Sequence, residues 1–487
     1  MAKSKKFYLK KLLSGSIAMT LSEATVKIVK LLVLPIMTYY LSPEDFGIIA
    51  SIKMVEGFLI MLFNPGMISG TSRLYYDTDE EEKRKKIIGS SLLFFIFFPL
   101  LVVSVVLILG DGFFQSLFSG LSLYPHGIIA LALSVIVQPK RLWSSLMSFQ
   151  FKVGKIALFS VIQLLIEVGV SLLLVVYFLK GVDGRITGIV LGTSFVFIIA
   201  IVYLFRYSKG NFSIKQMWKT LIFGLPLAPA IWAYSVLDIA DRFLIQNYLG
   251  LADLGVYAIA YTIASVPVFL TLGYKKMIAP IFYENMNSGN YQRIESLFKI
   301  YIVFYSLVCT SLILFSEELV VIVLNKDFSY AAQIIPWVVL GKFFLGITPV
   351  VNAFITYEKK FYKISINMGI SAIINIIINV ILLPKIGIVG SAIATAISYF
   401  VYLSLNLTNS IKLFTKVCSI KIFVLPTLLV GFTMAEIYFL SMNFGSIVIK
   451  ALTIIIALTS FLMLGYFNKK EKAYMLEIVA KLKNGKK

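Results

Sequence analysis

Lys27 and Lys30 lie at the centre of one long apolar stretch, Lys140 and Arg141 well inside another, and Lys342 halfway along a third. A cation at mid-bilayer costs about 2.5–3.5 kcal/mol even on the lenient insertion scale. Such residues are expected to line a wet chamber or to meet partners, and they mark a ligand path by default. Arg141 offers a planar fork suited to phosphate, Lys140 a point charge. On the first stretch Ser16, Thr20, Glu23, Lys27 and Lys30 recur at helical spacing, forming one polar stripe. Glu23 precedes Lys27 by four residues, the favourable order for an ion pair. Lys53 belongs to the same cationic set, although it lies close enough to a helix end to snorkel.

Carboxylates accompany these cations. Glu23, Glu56, Glu167, Asp238, Asp241 and Glu436 fall within apolar stretches. Glu167 is expected to pair with a cation of the first or fourth stretch, and an isolated buried carboxyl would carry a proton. Glu23 and Glu56 are candidates for the same coupling role. Asp238 and Arg242 stand at i, i+4 with Asp241 beside them, either as an ion pair or as a gate. Glu436 is expected to pair with Lys450. Nine basic residues meet six acidic ones within the spans, and the surplus of positive charge suits an anionic ligand.

The elements that must hold these residues follow from composition. Hydrophobic residues make up 59% of 487 and charged residues 14%, with a mean hydropathy of +0.90. Soluble domains carry about 25% charged residues, so the chain belongs in a membrane. A spanning helix needs about 20 apolar residues. Fourteen such spans are predicted, near 14–40, 46–72, 87–109, 125–149, 155–179, 185–206, 219–248, 254–274, 295–316, 329–357, 362–384, 388–410, 421–441 and 446–467. Strand-like alternation is absent. Of the loops and termini so defined, one side carries 32 Lys and Arg and the other only Lys180, Arg185, Lys326 and Lys385. The positive-inside rule then places both termini in the cytoplasm. This distribution explains the net charge of +21 without nucleic acid. Cys309 and Cys418 are far apart and His126 is alone, so no metal site, disulfide framework or cofactor is expected. Neither a long soluble loop nor an acidic catalytic motif speaks for a membrane glycosyltransferase or polymerase, and no enzyme activity is expected.

The chain repeats itself. Tyr40 to Ala50 (YLSPEDFGIIA) aligns with Tyr248 to Ala258 (YLGLADLGVYA) at an offset of 208, and Gly181-x-x-Gly184 echoes Gly387-x-x-Gly390. Each second match opens a helix with small residues every fourth position: Gly184, Gly188, Gly192, and Gly390, Ala394, Ser398. Such stripes let helices approach closely in lipid. Duplication predicts two parallel six-helix bundles, residues 1–210 and 211–417, related by a pseudo-two-fold axis along the membrane normal, with a site between them. Two further helices occupy 418–467. The basic tail 468–487 reads as an amphipathic cytoplasmic helix or a solvated one. Pro35, Pro226, Pro229, Pro336 and Pro349 interrupt spans and suit helices that bend.

The segment Ala240 to Tyr261 (ADRFLIQNYLGLADLGVYAIAY) resembles the helix 7–8 signature of the polysaccharide-transport family, the Wzx-type flippases. The first-repeat turn and the segment Asn64 to Arg73 (NPGMISGTSR) are similar to that family's helix 1–2 turn and the close of its helix 2. The resemblance implies a MATE-like, all-α fold of 14 transmembrane helices. It implies flipping of an undecaprenyl-pyrophosphate-linked oligosaccharide (an O-antigen, capsule or exopolysaccharide unit) across the bacterial inner membrane. Lys27, Lys30, Lys53, Lys140, Arg141 and Lys342 would then meet the pyrophosphate. Partners implied are the lipid-linked substrate, membrane lipids, and a polysaccharide polymerase with its chain-length machinery, the carrier itself being a monomer. A lipid II flippase and a drug exporter on the same fold are the alternatives.

Overall fold

The computed structural model describes residues 2–440, 446–463 and 466–467, and those residues are helical apart from turns, with no strand. In chain order the helices are α1 (Ala2–Tyr40), α2 (Pro43–Phe63), α3 (Met67–Tyr76), α4 (Glu81–Leu117), α5 (Ile128–Phe149), α6 (Val153–Leu172), α7 (Gly181–Ser208), α8 (Ile214–Gly224) and α9 (Ala228–Leu249). There follow α10 (Leu251–Ala264), α11 (Val268–Ser288), α12 (Tyr291–Leu314), α13 (Ser316–Val323), α14 (Ala331–Tyr357), α15 (Phe361–Ile386), α16 (Ile388–Val417), α17 (Lys421–Leu440) and α18 (Ser446–Met463). Each predicted stretch coincides with one helix or with two in succession. Among the described residues, eight helices are long and apolar enough to cross a membrane, and the bent pairs α8–α9 and α10–α11 reach that standard when joined. The basic tail lies outside the described residues.

Local chemistry sets the helix ends. Ser42 caps α2: its hydroxyl accepts from the Asp45 amide at 3.2 Å, and the Asp45 carboxylate accepts from the Ser42 amide at 2.9 Å. Pro43 fills the first helical position, where a missing N–H costs nothing. The predicted turn therefore works as a capping box. The second span is broken between α2 and α3, where Gly66 adopts φ 83°, a conformation open to glycine.

The described chain forms two compact units, one of Met1–Ile259, Val323–Tyr330 and Ala372–Ser391, the other of Ala260–Ile322, Ala331–Ser371 and the residues from Ala392 on. In the first, α1 lies along α6, α7 packs on α5 and α6, and α2 sits against α5 and α9. Ile52, Val55, Leu59, Phe63, Phe114, Leu131 and Ile189 form one buried apolar layer. Ile88, Leu92, Phe95, Leu142, Trp143, Val196 and Leu204 form another. The predicted small-residue stripe serves close packing. A Cβ at Gly188 or Gly192 would collide with the α6 backbone at Gln163, Glu167 and Ser171.

The two turns with matching sequences meet within this unit. A Cβ on Gly47 would strike the Leu251 backbone, and one on Gly255 would strike the Pro43 carbonyl. Residue 251 is 43 plus the repeat offset, and 255 is 47 plus the same offset, so the contact is reciprocal.

In the second unit α12 packs against α11, α14, α17 and α18. Helix α14 is its most enclosed element: Val338, Val339, Phe343, Ile347, Val350 and Phe354 are fully buried. Tyr301 and Tyr305 tie α12 to α14 by donating to the carbonyls of Gly346 (2.6 Å) and Lys342 (2.8 Å).

Candidate functional site

Helices α1, α5 and α6 enclose a cavity of about 240 Å³ in the first unit, lined by Ser22, Glu23, Val26, Lys27, Lys30, Lys140, Ser160, Gln163, Leu164 and Glu167. Three of the six predicted cations thus come together with two of the predicted carboxylates. The polar stripe of α1 supplies Glu23, Lys27 and Lys30, while the side chains of Ser16 and Thr20 lie outside those described. Arrival of Lys140 follows from α5 and α6 being chain neighbours, and its ammonium donates to the Gln163 carboxamide.

Glu167 organises the wall. Its Oε1 lies 3.2 Å from Lys30 Nζ and 2.9 Å from an Arg185 guanidinium nitrogen, and a second Arg185 nitrogen donates to the Ser171 hydroxyl at 2.9 Å. The expected pairing with a cation of the first stretch therefore occurs. By the extent of its apolar run Arg185 belongs with the loop residues of the sparsely charged side, yet it points inward from the N-terminal part of α7 onto the same carboxylate. Its signal in the sequence was its place three residues before Gly188, on the helix that α6 approaches closely. Gln163, four residues before Glu167 on α6, joins the same lining with no charge to mark it in the sequence.

The other predicted residues lie elsewhere. Lys53 pairs with Glu56 at 2.7 Å, and Glu56 is buried while Lys53 is half-exposed. Arg141 is half-buried on α5. Lys342 is buried in the second unit, where its Nζ donates to the Tyr261 hydroxyl at 2.6 Å and sits 4.1 Å from the Tyr261 ring centre and 5.3 Å from that of Tyr399. Aromatic faces of this kind stabilise a desolvated cation. The side chain of Asp238 lies outside those described; Arg242 is half-buried. Lys450 pairs with Glu318 at 2.8 Å instead of with Glu436, whose carboxylate accepts from Thr453. The short α13, absent from the predicted spans, brings Glu318 into reach.

Asp241 is fixed in a buried network that sequence reading did not assemble. Its carboxylate accepts from the Tyr257 hydroxyl at 2.9 Å and from the Asn379 amide at 2.9 Å, and Ser391 donates to Asn379 at 2.5 Å. All four are buried. Asn375 and Asn379, one turn apart in an apolar helix, were its sequence mark.

At 240 Å³ the α1–α5–α6 cavity is below the ~300–1,000 Å³ of drug-sized sites. Its ammonium groups present many N–H donors to a small, multiply charged oxyanion. Fold and cavity together define a multi-helix membrane protein with a cationic pocket. Residues 12–286 match the family described as polysaccharide biosynthesis protein, and residues 226–381 match the MatE family. The first match spans more than half of the sequence, and the chain belongs to the polysaccharide biosynthesis protein family.

Among curated proteins, a probable low-salt glycan biosynthesis flippase of Haloferax volcanii, Agl15, is 24% identical over 286 residues. That alignment covers 56% of this chain and 58% of Agl15, so it spans little more than half of the relative's length. The solved structure of the lipid II flippase MurJ in an inward closed conformation superposes with a TM-score of 0.71 at 19% identity, covering 92% of this chain and 98% of that one. An inward-facing multidrug resistance MATE family transporter gives 0.66 at 13% identity, covering 82% and 98%. These likenesses show an all-α membrane fold of the MOP type.

Proposed function

We propose that this protein is a flippase that carries an undecaprenyl-pyrophosphate-linked oligosaccharide, a repeat unit of a surface polysaccharide, from the cytoplasmic to the outer face of the bacterial inner membrane. The observation that carries this reading is the cavity of α1, α5 and α6. It gathers three ammonium groups against two carboxylates, and one of those carboxylates also answers Arg185. A diphosphate head would offset the surplus. Agl15, described as a probable glycan biosynthesis flippase, supports the same class of cargo.

In this reading fourteen helices cross the membrane, with halves at 1–210 and 211–417 alternating about the pseudo-two-fold axis and 418–467 as two accessory helices. The reciprocal contacts of Gly47 with Leu251 and Gly255 with Pro43 support that axis. Lys27, Lys30 and Lys140 contact the diphosphate first, with Lys53, Arg141 and Lys342 serving other stages of passage. Glu23, Glu56, Glu167 and the Asp241–Arg242 pair provide ion pairs or proton coupling. Both termini face the cytoplasm, the carrier acts as a monomer, and a polymerase receives the product. A cationic drug is a poor match for a chamber rich in ammonium groups.

The test uses vesicles containing the purified protein and a fluorescent undecaprenyl-diphosphate disaccharide, with a membrane-impermeant oxidant reading transfer to the outer leaflet. Charge reversal, Lys27→Glu with Lys30→Glu, should lower the transfer rate at least tenfold while the protein still inserts. Transfer at the wild-type rate by that variant would overturn the proposal.

A further inference from the structure

A second cavity, of about 490 Å³, lies along α3 and is lined by Ile68, Ser69, Ser72, Arg73, Tyr76 and Phe149. Ser69, Ser72, Arg73 and Tyr76 occupy positions i, i+3, i+4 and i+7, so one face of α3 supplies all its polar groups. The cavity is distinct from the cationic one. Lys140 and Phe149 are nine residues apart on α5, about 13 Å along the axis and half a turn around it. Most serines and threonines in these helices donate back to a carbonyl three or four residues earlier, as Thr71 does to Met67 at 2.8 Å. The hydroxyls of Ser69 and Ser72 make no hydrogen bond to any described residue.

The charge here is balanced. Arg73 pairs with Asp77 at 3.3 Å, both side chains well exposed, and the following run Asp79 to Glu82 is acidic. An anion gains little at such a place. A neutral ring bearing several hydroxyls gains more, because Arg73 offers donors in a planar fork and the two serines offer both donors and acceptors. Apolar C–H faces of such a ring would lie on Tyr76 and Phe149, whose rings meet edge to face at 5.6 Å. Phe149 is backed by Tyr75 at 5.0 Å, and Arg84 in turn covers Tyr75 at 5.0 Å while donating to its carbonyl at 3.3 Å. The aromatic wall is therefore held in place, and the volume falls within the ~300–1,000 Å³ of small-ligand sites.

We propose that the α3 cavity is a carbohydrate subsite, taking a sugar ring through Arg73, Ser69 and Ser72 with Tyr76 and Phe149 as its apolar floor. It rests on the reading of the protein as a carrier of a lipid-linked glycan, and it assigns the sugar and the diphosphate to separate places. The loop after α3 is on the side that basic-residue asymmetry gives to the cytoplasm, where the glycan stands before transfer.

Saturation-transfer NMR on the full-length protein in nanodiscs tests this, with methyl glycosides of glucose, galactose, mannose, N-acetylglucosamine and N-acetylgalactosamine as probes, and glycerol 3-phosphate as a lipid-headgroup surrogate. At least one glycoside should bind. Arg73→Met and Tyr76→Ala should each weaken it at least fivefold, Tyr76→Phe should retain it, and Lys27→Glu with Lys30→Glu should leave it unchanged. The four lining residues other than Ile68 and Phe149 are polar or exposed, and thermal unfolding at the wild-type temperature confirms that the variants fold. No response from any glycoside, a response that survives both Arg73→Met and Tyr76→Ala, or displacement by glycerol 3-phosphate alone would overturn the subsite. Loss of lipid-diphosphate transfer in the lysine variant with sugar binding intact separates the two proposals.

Discussion

Replacing Glu167 by Gln tests the charge logic of the cavity wall at its centre. The carboxylate is buried, and Arg185 beside it has a side chain only 16% exposed, whereas that of Lys30 is 42% exposed. Removing one member of a buried pair leaves an uncompensated charge and costs about 3–5 kcal/mol. Exposed pairs contribute about 0–1 kcal/mol. Glu167→Gln should therefore destabilise by about 3–4 kcal/mol, nearly all through Arg185. Arg185→Met in the Gln background should recover much of that loss, with a coupling energy of about 2–3 kcal/mol, the upper range for contacting residues. Lys30→Met should couple to Glu167 by less than about 1 kcal/mol. Unfolding of the purified variants in mixed detergent micelles measures each corner of the two cycles. Equal coupling of Glu167 to Lys30 and to Arg185, or a cost of Glu167→Gln under about 1 kcal/mol, would refute the argument.

Alanine at Gly47 or Gly255 should cost about 1–3 kcal/mol each by overpacking the contact between the two matching turns. Gly154→Ala and Gly169→Ala, at helical positions on α6 with open space around them, should be neutral or stabilising by up to about 1 kcal/mol; thermal unfolding distinguishes the sets. Tyr261→Phe removes a hydrogen bond to the buried Lys342 ammonium and should cost about 1.5–3 kcal/mol in the same assay. Tyr257→Phe should cost a similar amount through the Asp241 carboxylate, and a loss below about 0.5 kcal/mol would show that network to be slack.

Much of the architecture was legible because a bilayer imposes strong rules. Apolar runs of spanning length had to be helices, since a lone segment satisfies its backbone in lipid only that way. The capped turn at Ser42, the repeat that brings Gly47 and Gly255 together, and the glycine stripe of α7 were readable because each is a short-range or periodic signal. The cavity was legible in part: Glu23, Lys27 and Lys30 share one helix face, and their depth made them candidates.

What stayed hidden was direction around each helix. A sequence gives the depth of Lys342 but says nothing of Tyr261 and Tyr399, which are 81 and 57 positions away and enclose it. The apolar run of the sixth span starts at Arg185, yet α7 begins at Gly181 and turns Arg185 onto Glu167. Composition and periodicity fixed that this chain is a stack of membrane helices with cations inside it. Which cations face a shared chamber, and which are sealed by carboxylates or rings, was decided by helix packing, because ion pairs form at about 3 Å between segments whose azimuths only their mutual contacts can set.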